Sequence, residues 1–328
     1  MTLEKTRRLV QGAIGWGSLL LILLLLPAAW TPAAAEEWEV TAKSFVIMDA
    51  TSGKIIFAHN PQAMLPPAST LKVMTAMLVM ERLKMDDRVP VSAYAASAQP
   101  SKLGIKPGET YSVKDLLYAL MLGSANDGAR ALAERVSGSE EAFARQLTQS
   151  VRQWGAYRTT LANANGLPAD YQFTTAQDLA ILFRRAIENP ELLRIMQAKY
   201  YTCQGDKEVR NHNRFLFTTP LAVAGKTGFT RSSQHTFVGL FKKDNTALVI
   251  SLMGSQQKWA DLRVLIHKGF EMSGTPIAKM EPLEERLWFA KKAGSRPGGK
   301  GKIKRGKAKV IMGSAAPLSL KKKNTKSR

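Results

Sequence analysis

Lys72 stands inside one of the most apolar stretches of the chain, among Leu71, Val73, Met74, Met77, Leu78, Val79 and Met80. A desolvated ammonium is costly there unless it gives up its proton or finds a partner. Ser69 lies three residues earlier, a spacing that puts both side chains on one face of a helix. A lysine whose pKa is pushed down can take the proton from a nearby hydroxyl and make it a nucleophile. A plainer arrangement fits too, with Ser69 capping a helix after Pro66-Pro67 and Lys72 snorkelling outward. Spacing alone does not choose between them. Ser255-Lys258 and Ser319-Lys322 repeat it, and neither reads as the start of a buried helix.

Two further groups stand apart. Ser124-Ala125-Asn126 falls in a Gly/Ser/Asn turn after a helical stretch, and Lys226-Thr227-Gly228 comes just before strand-like residues 236–241. Taken singly, the first is a turn or cap and the second a strand end. Other routes to catalysis lack their residues. The four histidines, His59, His212, His235 and His267, form no His-Glu-x-x-His helix, and no Gly-x-Ser-x-Gly elbow occurs. Cys203 is the only cysteine, so neither a disulfide within the chain nor a cysteine-rich metal site is available. Neither a metal nor a cofactor is expected.

These residues need a scaffold, and the pattern supplies one. With 45% hydrophobic and 22% charged residues, the 328-residue chain can bury a core, which excludes wholly disordered and collagen-like classes. Residues 43–49 and 54–58 read as two strands around a turn-rich Ala50-Thr51-Ser52-Gly53. The run from Thr70 to Lys84 predicts a helix apolar on almost every side, which belongs inside a domain. Helical patterns follow at 113–122, 129–136, 140–154 and 175–187; residues 236–241 and 246–253 return to strand character, and 262–272 reads helical. Strands, then helices, then strands predict one α+β domain whose sheet is closed by distant segments.

The two ends differ from this body. Lys5, Arg7 and Arg8 precede an apolar run densest from Leu19 to Leu26, then Pro27 and Ala33-Ala34-Ala35. That order predicts a secretory signal over residues 1–35, and a mature chain exported to the periplasm, the outer face of the cytoplasmic membrane or the cell wall. The alternative is an uncleaved anchor from Val10 to Trp30. Of the 47 Lys and Arg residues, fourteen fall in 291–328, where there is no acid. This segment is Gly- and Lys-rich with little apolar content, and it predicts a disordered tail. Outside the cytoplasm such a tail has no nucleic acid to bind.

In order along the chain, Ser69-x-x-Lys72, Ser124-Ala125-Asn126 and Lys226-Thr227-Gly228 resemble the trio shared by penicillin-binding proteins and class A β-lactamases. The likeness extends to Ala50-Thr51-Ser52-Gly53-Lys54, Pro66-Pro67-Ala68, Asn165-Gly166-Leu167, residues 174–180 and Asn211-His212-Asn213. From about residue 40 to 272 the chain is similar to low-molecular-mass penicillin-binding proteins of the D-alanyl-D-alanine carboxypeptidase type, peptidase family S11. Gly128 stands where alanine is common in that family. The resemblance implies a β-lactamase/transpeptidase-like α+β fold, with an antiparallel sheet flanked by helices and an all-helical subdomain. The catalytic domain would then span 36–275, a linker or short amphipathic helix 276–290.

The resemblance also implies roles. Ser69 attacks the carbonyl between the terminal D-alanines of a peptidoglycan stem peptide, with Lys72 as general base. Ser124 relays a proton to the leaving amine, and Asn126 holds substrate backbone and Lys72. Lys226 supplies positive charge, and Thr227 holds the terminal carboxylate. The backbone N–H groups of Ser69 and Phe229 form the oxyanion hole, and Gly228 keeps the strand edge clear. β-Lactams would acylate Ser69 as substrate mimics.

Other functions share parts of this pattern. A β-lactamase on the same fold would need a deacylating glutamate, and no Glu-x-x-Leu-Asn loop occurs between Ser124 and Lys226. A D,D-endopeptidase shares the motifs, and a non-catalytic envelope-binding protein would not need them. About fifty residues follow the catalytic region, too few for the β-sandwich many relatives append. Leu283, Leu287, Trp288 and Phe289 allow a short amphipathic turn. The fourteen cations of the tail suit an anionic lipid surface or acidic wall polymer.

Overall fold

The computed structural model describes residues 39–280. The expected signal over 1–35, the tail over 291–328 and residues 281–290 of the expected linker lie outside the described residues. The opening hairpin is present: β1 (Ser44–Asp49) pairs antiparallel with β2 (Ile55–His59). Its turn is held by Asp49, whose Oδ1 accepts from Ser52 N and Ser52 Oγ, both at 2.7 Å.

Helix α1 covers Lys72–Arg82, and a 3-10 turn over Ala68–Leu71 feeds it. The predicted helix therefore starts later than Thr70. Short β3 (Arg88–Pro90), α2 (Ala93–Ala96) and β4 (Thr110–Ser112) lead to α3 (Val113–Leu122), α4 (Asn126–Ser137) and α5 (Glu140–Gln153). Helices α3 and α5 begin for a local reason. Ser112 and Ser139 accept from the amides of Asp115 and Ala142, satisfying donors that the first turn leaves open. Acidic residues follow in both first turns, where the helix dipole favours them. Next come α6 (Ala176–Ala186), capped by Thr175, and α7 (Pro190–Gln197), which opens with Asn189 as cap and proline at its first position.

The hairpin β5 (Tyr200–Cys203) and β6 (Lys207–Arg210) precedes α8 (Phe215–Thr218). The chain then lays down β7 (Ala222–Thr230), β8 (Gln234–Lys243), β9 (Thr246–Ser255) and α9 (Lys258–Met272). Lys226-Thr227-Gly228 thus lies within a strand of its own, where the sequence suggested a strand end. Ser255-x-x-Lys258 departs further from expectation, since it links the end of β9 to the start of α9 and both residues are buried.

The main sheet runs β2-β1-β9-β8-β7, with antiparallel pairs throughout. Alternation along β1 sends Val46 and Met48 into the core shared with α1, α3, α4 and α6. Ile47 and Leu248 point the other way, against α9 at Gly269. Both faces are therefore covered, which is why β8 and β9 are buried almost from end to end. Helices α2 to α5 pack on one another as a separate helical layer. The architecture is α+β, with the sheet closed by β1 and β9 as the strand–helix–strand order predicts.

Candidate active site

The 3-10 turn explains why Ser69 and Lys72 meet. Three residues make one turn of that helix, so positions i and i+3 eclipse. Lys72 Nζ lies 3.0 Å from Ser69 Oγ. Leu71 and Val73 on either side are fully buried, and Lys72 itself is 0% exposed. Its amine reaches Asn126 Oδ1 at 2.6 Å and the main-chain oxygen of Asn165. Burial, and next the nearby Lys226, lower the Lys72 pKa well below the usual lysine value; Glu140 and Asp127 oppose them. Snorkelling is ruled out by this burial.

Asn126 is the first residue of α4. Its amide nitrogen donates to the carbonyls of Gln99 and Pro100 at 2.9 and 3.1 Å, which aims its oxygen at Lys72. Asp127 beside it accepts from the amides of Leu103, Gly104 and Ile105 at 3.0, 2.8 and 3.2 Å. Together they clamp the segment 99–105 over the start of α4.

Ser124 occupies the turn between α3 and α4 with φ +61°, a left-handed conformation that is uncommon outside glycine. Its hydroxyl accepts from Lys226 Nζ at 3.1 Å, and Lys226 donates also to its neighbour Thr227 O at 2.8 Å. Lys226 is 1% exposed, and burial followed by the charge of Lys258 lowers its pKa to about 7. Lys258 was not singled out by sequence. Its Nζ lies 3.5 Å from His235 Nδ1 and 4.6 Å from the Trp259 ring centroid. Ser255, its partner in the repeated spacing, gives its hydroxyl to Asp261 Oδ2 at 2.6 Å.

Gly228 marks where sheet and helix converge. A Cβ there would stand 2.8 Å from Ser69 N and would overlap Thr236 Oγ1. The strand backbone therefore approaches the main chain of Ser69 as only glycine allows. Gly166 does the same from the opposite side, for a Cβ at its φ of +83° would overlap the Ala68 carbonyl. Ala68 is itself left-handed at φ +48°. Thr227 is buried, whereas the Phe229 side chain is 54% exposed and lies against the His235 ring at 4.6 Å. Hydrogen bonds thus join Ser69, Lys72 and Asn126 in one set and Ser124 and Lys226 in a second, and Thr227 and Gly228 adjoin Lys226 on β7. Two groups came unannounced: the Asn165 carbonyl and Lys258. A carbonyl carries no side-chain signal, and Lys258 stands in the sequence only as a repeat of the Ser-x-x-Lys spacing that does not read as the start of a buried helix.

The arrangement holds a hydroxyl against a desolvated amine, the requirement for acyl transfer by an activated serine. A profile of the D-alanyl-D-alanine carboxypeptidase family, peptidase family S11, matches residues 31–257. The chain belongs to this family. It is similar to the D-alanyl-D-alanine carboxypeptidase DacC of Escherichia coli (strain K12), at 31% identity over 91% of this chain and 80% of the relative. The crystal structure of a D-alanyl-D-alanine carboxypeptidase from Mycobacterium tuberculosis H37Rv superposes with a TM-score of 0.69, at 27% identity, over 76% of this chain and 99% of that one. Penicillin-binding protein D2 of Listeria monocytogenes, in its ampicillin-bound form, superposes at 0.62 with 25% identity, over 71% and 99%. The fold is that of the penicillin-binding proteins and D,D-peptidases. The S11 chain is a hydrolase, a serine-type D-Ala-D-Ala carboxypeptidase.

Proposed function

We propose that Ser69 is the nucleophile that removes the terminal D-alanine from peptidoglycan stem peptides. The observation that carries this reading is the set of partners around Lys72. A neutral amine has two hydrogens and one lone pair. Asn126 Oδ1 and the Asn165 carbonyl take the hydrogens, and the remaining direction is Ser69 Oγ. Lys72 then accepts the Ser69 proton as the Oγ–carbon bond forms. The carbon–nitrogen bond breaks, and Ser124, held by Lys226, gives its proton to the leaving amine of D-alanine while taking in exchange the one that Lys72 received from Ser69. Ser69 N and Phe229 N face the oxyanion, each such donor being worth about 3 kcal/mol. The close approach of Gly228 to Ser69 N supports this pairing. Lys226 and Thr227 receive the substrate carboxylate, and water finally cleaves the ester.

β-Lactams acylate Ser69 in the same way, as the ampicillin-bound Listeria relative suggests. The enzyme works outside the cytoplasm, delivered by residues 1–35. Among the described residues no helix is long and apolar enough to cross a membrane. The fourteen cations of 291–328 hold the protein to anionic lipid headgroups.

Mass analysis of stem pentapeptides before and after exposure to the purified enzyme tests the reading. Loss of one alanine by the wild type, but not by Ser69→Ala, is the expected result. Equal loss with Ser69→Ala refutes the assignment, and cleavage of cross-linked dimers in place of alanine release identifies an endopeptidase.

A further inference from the structure

Glu140 opens α5 and is only 4% exposed. Its helix does not need it as a cap, since Ser139 accepts from Ala142 N at 3.1 Å. The carboxylate instead receives four hydrogen bonds. Oε1 accepts from Ala164 N at 3.0 Å and from Asn165 Nδ2 at 2.8 Å; Oε2 accepts from Tyr94 Oη at 2.6 Å and Arg130 Nε at 3.1 Å. Two of those donors belong to the residues whose backbone passes Lys72. Asn165 offers its main-chain oxygen to that amine, and Ala164 offers its own to Thr75 Oγ1 on α1 at 2.8 Å. The stretch 161–172 contains no helix and no strand of the sheet. The position of the Asn165 carbonyl thus depends on such side-chain ties.

We infer that Glu140 is a positioning residue for the acyl-transfer step: it holds the Asn165 carbonyl against the Lys72 amine and supplies part of the negative field that amine experiences. The inference rests on the reading of Lys72 as the base. The charged and titratable groups facing the pair come from every neighbouring element. Lys226 on β7 and Asp127 on α4 face Lys72, while Tyr94 on α2 and Arg130 on α4 face Glu140. Glu141 follows on the same helix and is exposed. Burial and Lys226 push the Lys72 pKa down, and Glu140 ranks ahead of Asp127 in holding it up. An anion that only braced the helical layer would leave the titration of Lys72 unchanged.

The test is the rate constant for acylation by a fluorescent penicillin across pH, in the full-length protein. The rate rises with pH as the Lys72 amine becomes neutral. Glu140→Gln removes the anion, so the rising limb should move at least about half a pH unit lower. Its plateau should fall roughly tenfold as the carbonyl loosens. Arg130→Gln keeps the carboxylate but removes its countercharge, so the limb should move to higher pH. An unmoved limb in a folded Glu140→Gln, judged by near-ultraviolet circular dichroism, overturns the inference. Should Glu140→Gln fail to fold, Arg130→Gln decides alone, and a limb that stays put or moves lower overturns it. Undiminished acylation of Lys72→Met would instead remove the reading of Lys72 as base, a result distinguishable from either.

Discussion

Lys226 Nζ lies 3.1 Å from Ser124 Oγ, a hydrogen bond between residues 102 positions apart in the chain. It joins the edge strand of the sheet to the turn between two helices of the helical layer. Lys72 makes the complementary connection, tying α1 to α4 through Asn126 and to the loop over 161–172 through Asn165. Two desolvated amines therefore line the cleft, and burial lowers the pKa of both, that of Lys226 to about 7.

Lys72→Arg should lower acylation by a fluorescent penicillin at least about a hundredfold, within the span that general-base catalysis contributes. Arginine keeps the charge but cannot give up its proton. Labelling kinetics at pH 7 to 10 check this, and retention of more than a tenth of the wild-type rate would contradict the base assignment.

Lys226 titrates near 7, so its charge fades as pH rises through that value. The KM for a carboxylate-bearing peptide should therefore climb above about pH 7, while kcat continues to benefit from the neutral Lys72. Lys258→Met removes a cation that depresses Lys226 and should shift the rise in KM to higher pH. Steady-state kinetics of the two proteins at matched ionic strength decide the matter.

Burying Lys226 also costs stability, and the sign follows from its lowered pKa. Between about pH 7 and the ordinary lysine value of 10.5 the unfolded chain binds more protons than the folded one, so stability rises with pH. Lys226→Met should consequently raise Tm by a few degrees at pH 6, with the gain shrinking toward pH 10, at the expense of turnover. Thermal melts at several pH values measure it; a lower Tm at pH 6 contradicts the account.

Asp127→Ala leaves the amides of Leu103, Gly104 and Ile105 without their acceptor, and Ile105 is buried. An orphaned buried donor costs about 1–3 kcal/mol, so the variant should lose at least about 1 kcal/mol and release the segment 99–105 from α4. Urea melts and limited proteolysis give the two readouts, and wild-type protection of that segment would contradict the clamp.

Deletion of 291–328 should abolish salt-sensitive binding to anionic vesicles. Sedimentation with and without added salt is the measurement, and unchanged binding contradicts electrostatic attachment.

Much of this was legible before the coordinates. The helix over Val113–Leu122 matches its predicted span because Ser112, the apolar run and Gly123 mark start, body and end. The motif side chains Ser69, Lys72, Ser124, Asn126 and Lys226 are legible from type, spacing and resemblance. What escaped notice shares a cause. Strand β7 contains Ala224, Gly225, Thr227 and Gly228, a small and polar run with no alternation, and it becomes a strand only through its ladder with β8. Helix α7 and the β5–β6 hairpin are short, and their form is settled by partners such as Tyr118, whose ring stacks 3.7 Å from Tyr201. The start of α1 was misplaced because Ala68–Leu71 winds as a 3-10 turn, which the hydrophobic pattern does not separate from α-helix.

The pairing of β1 with β9 has a consequence for the timing of folding. Residues 44–49 stay without their second neighbour until residues 248–253, about two hundred positions later, have left the ribosome. The central ladder cannot close until the last strand of the sheet has been made, so β1 and its hairpin partner wait for most of the chain.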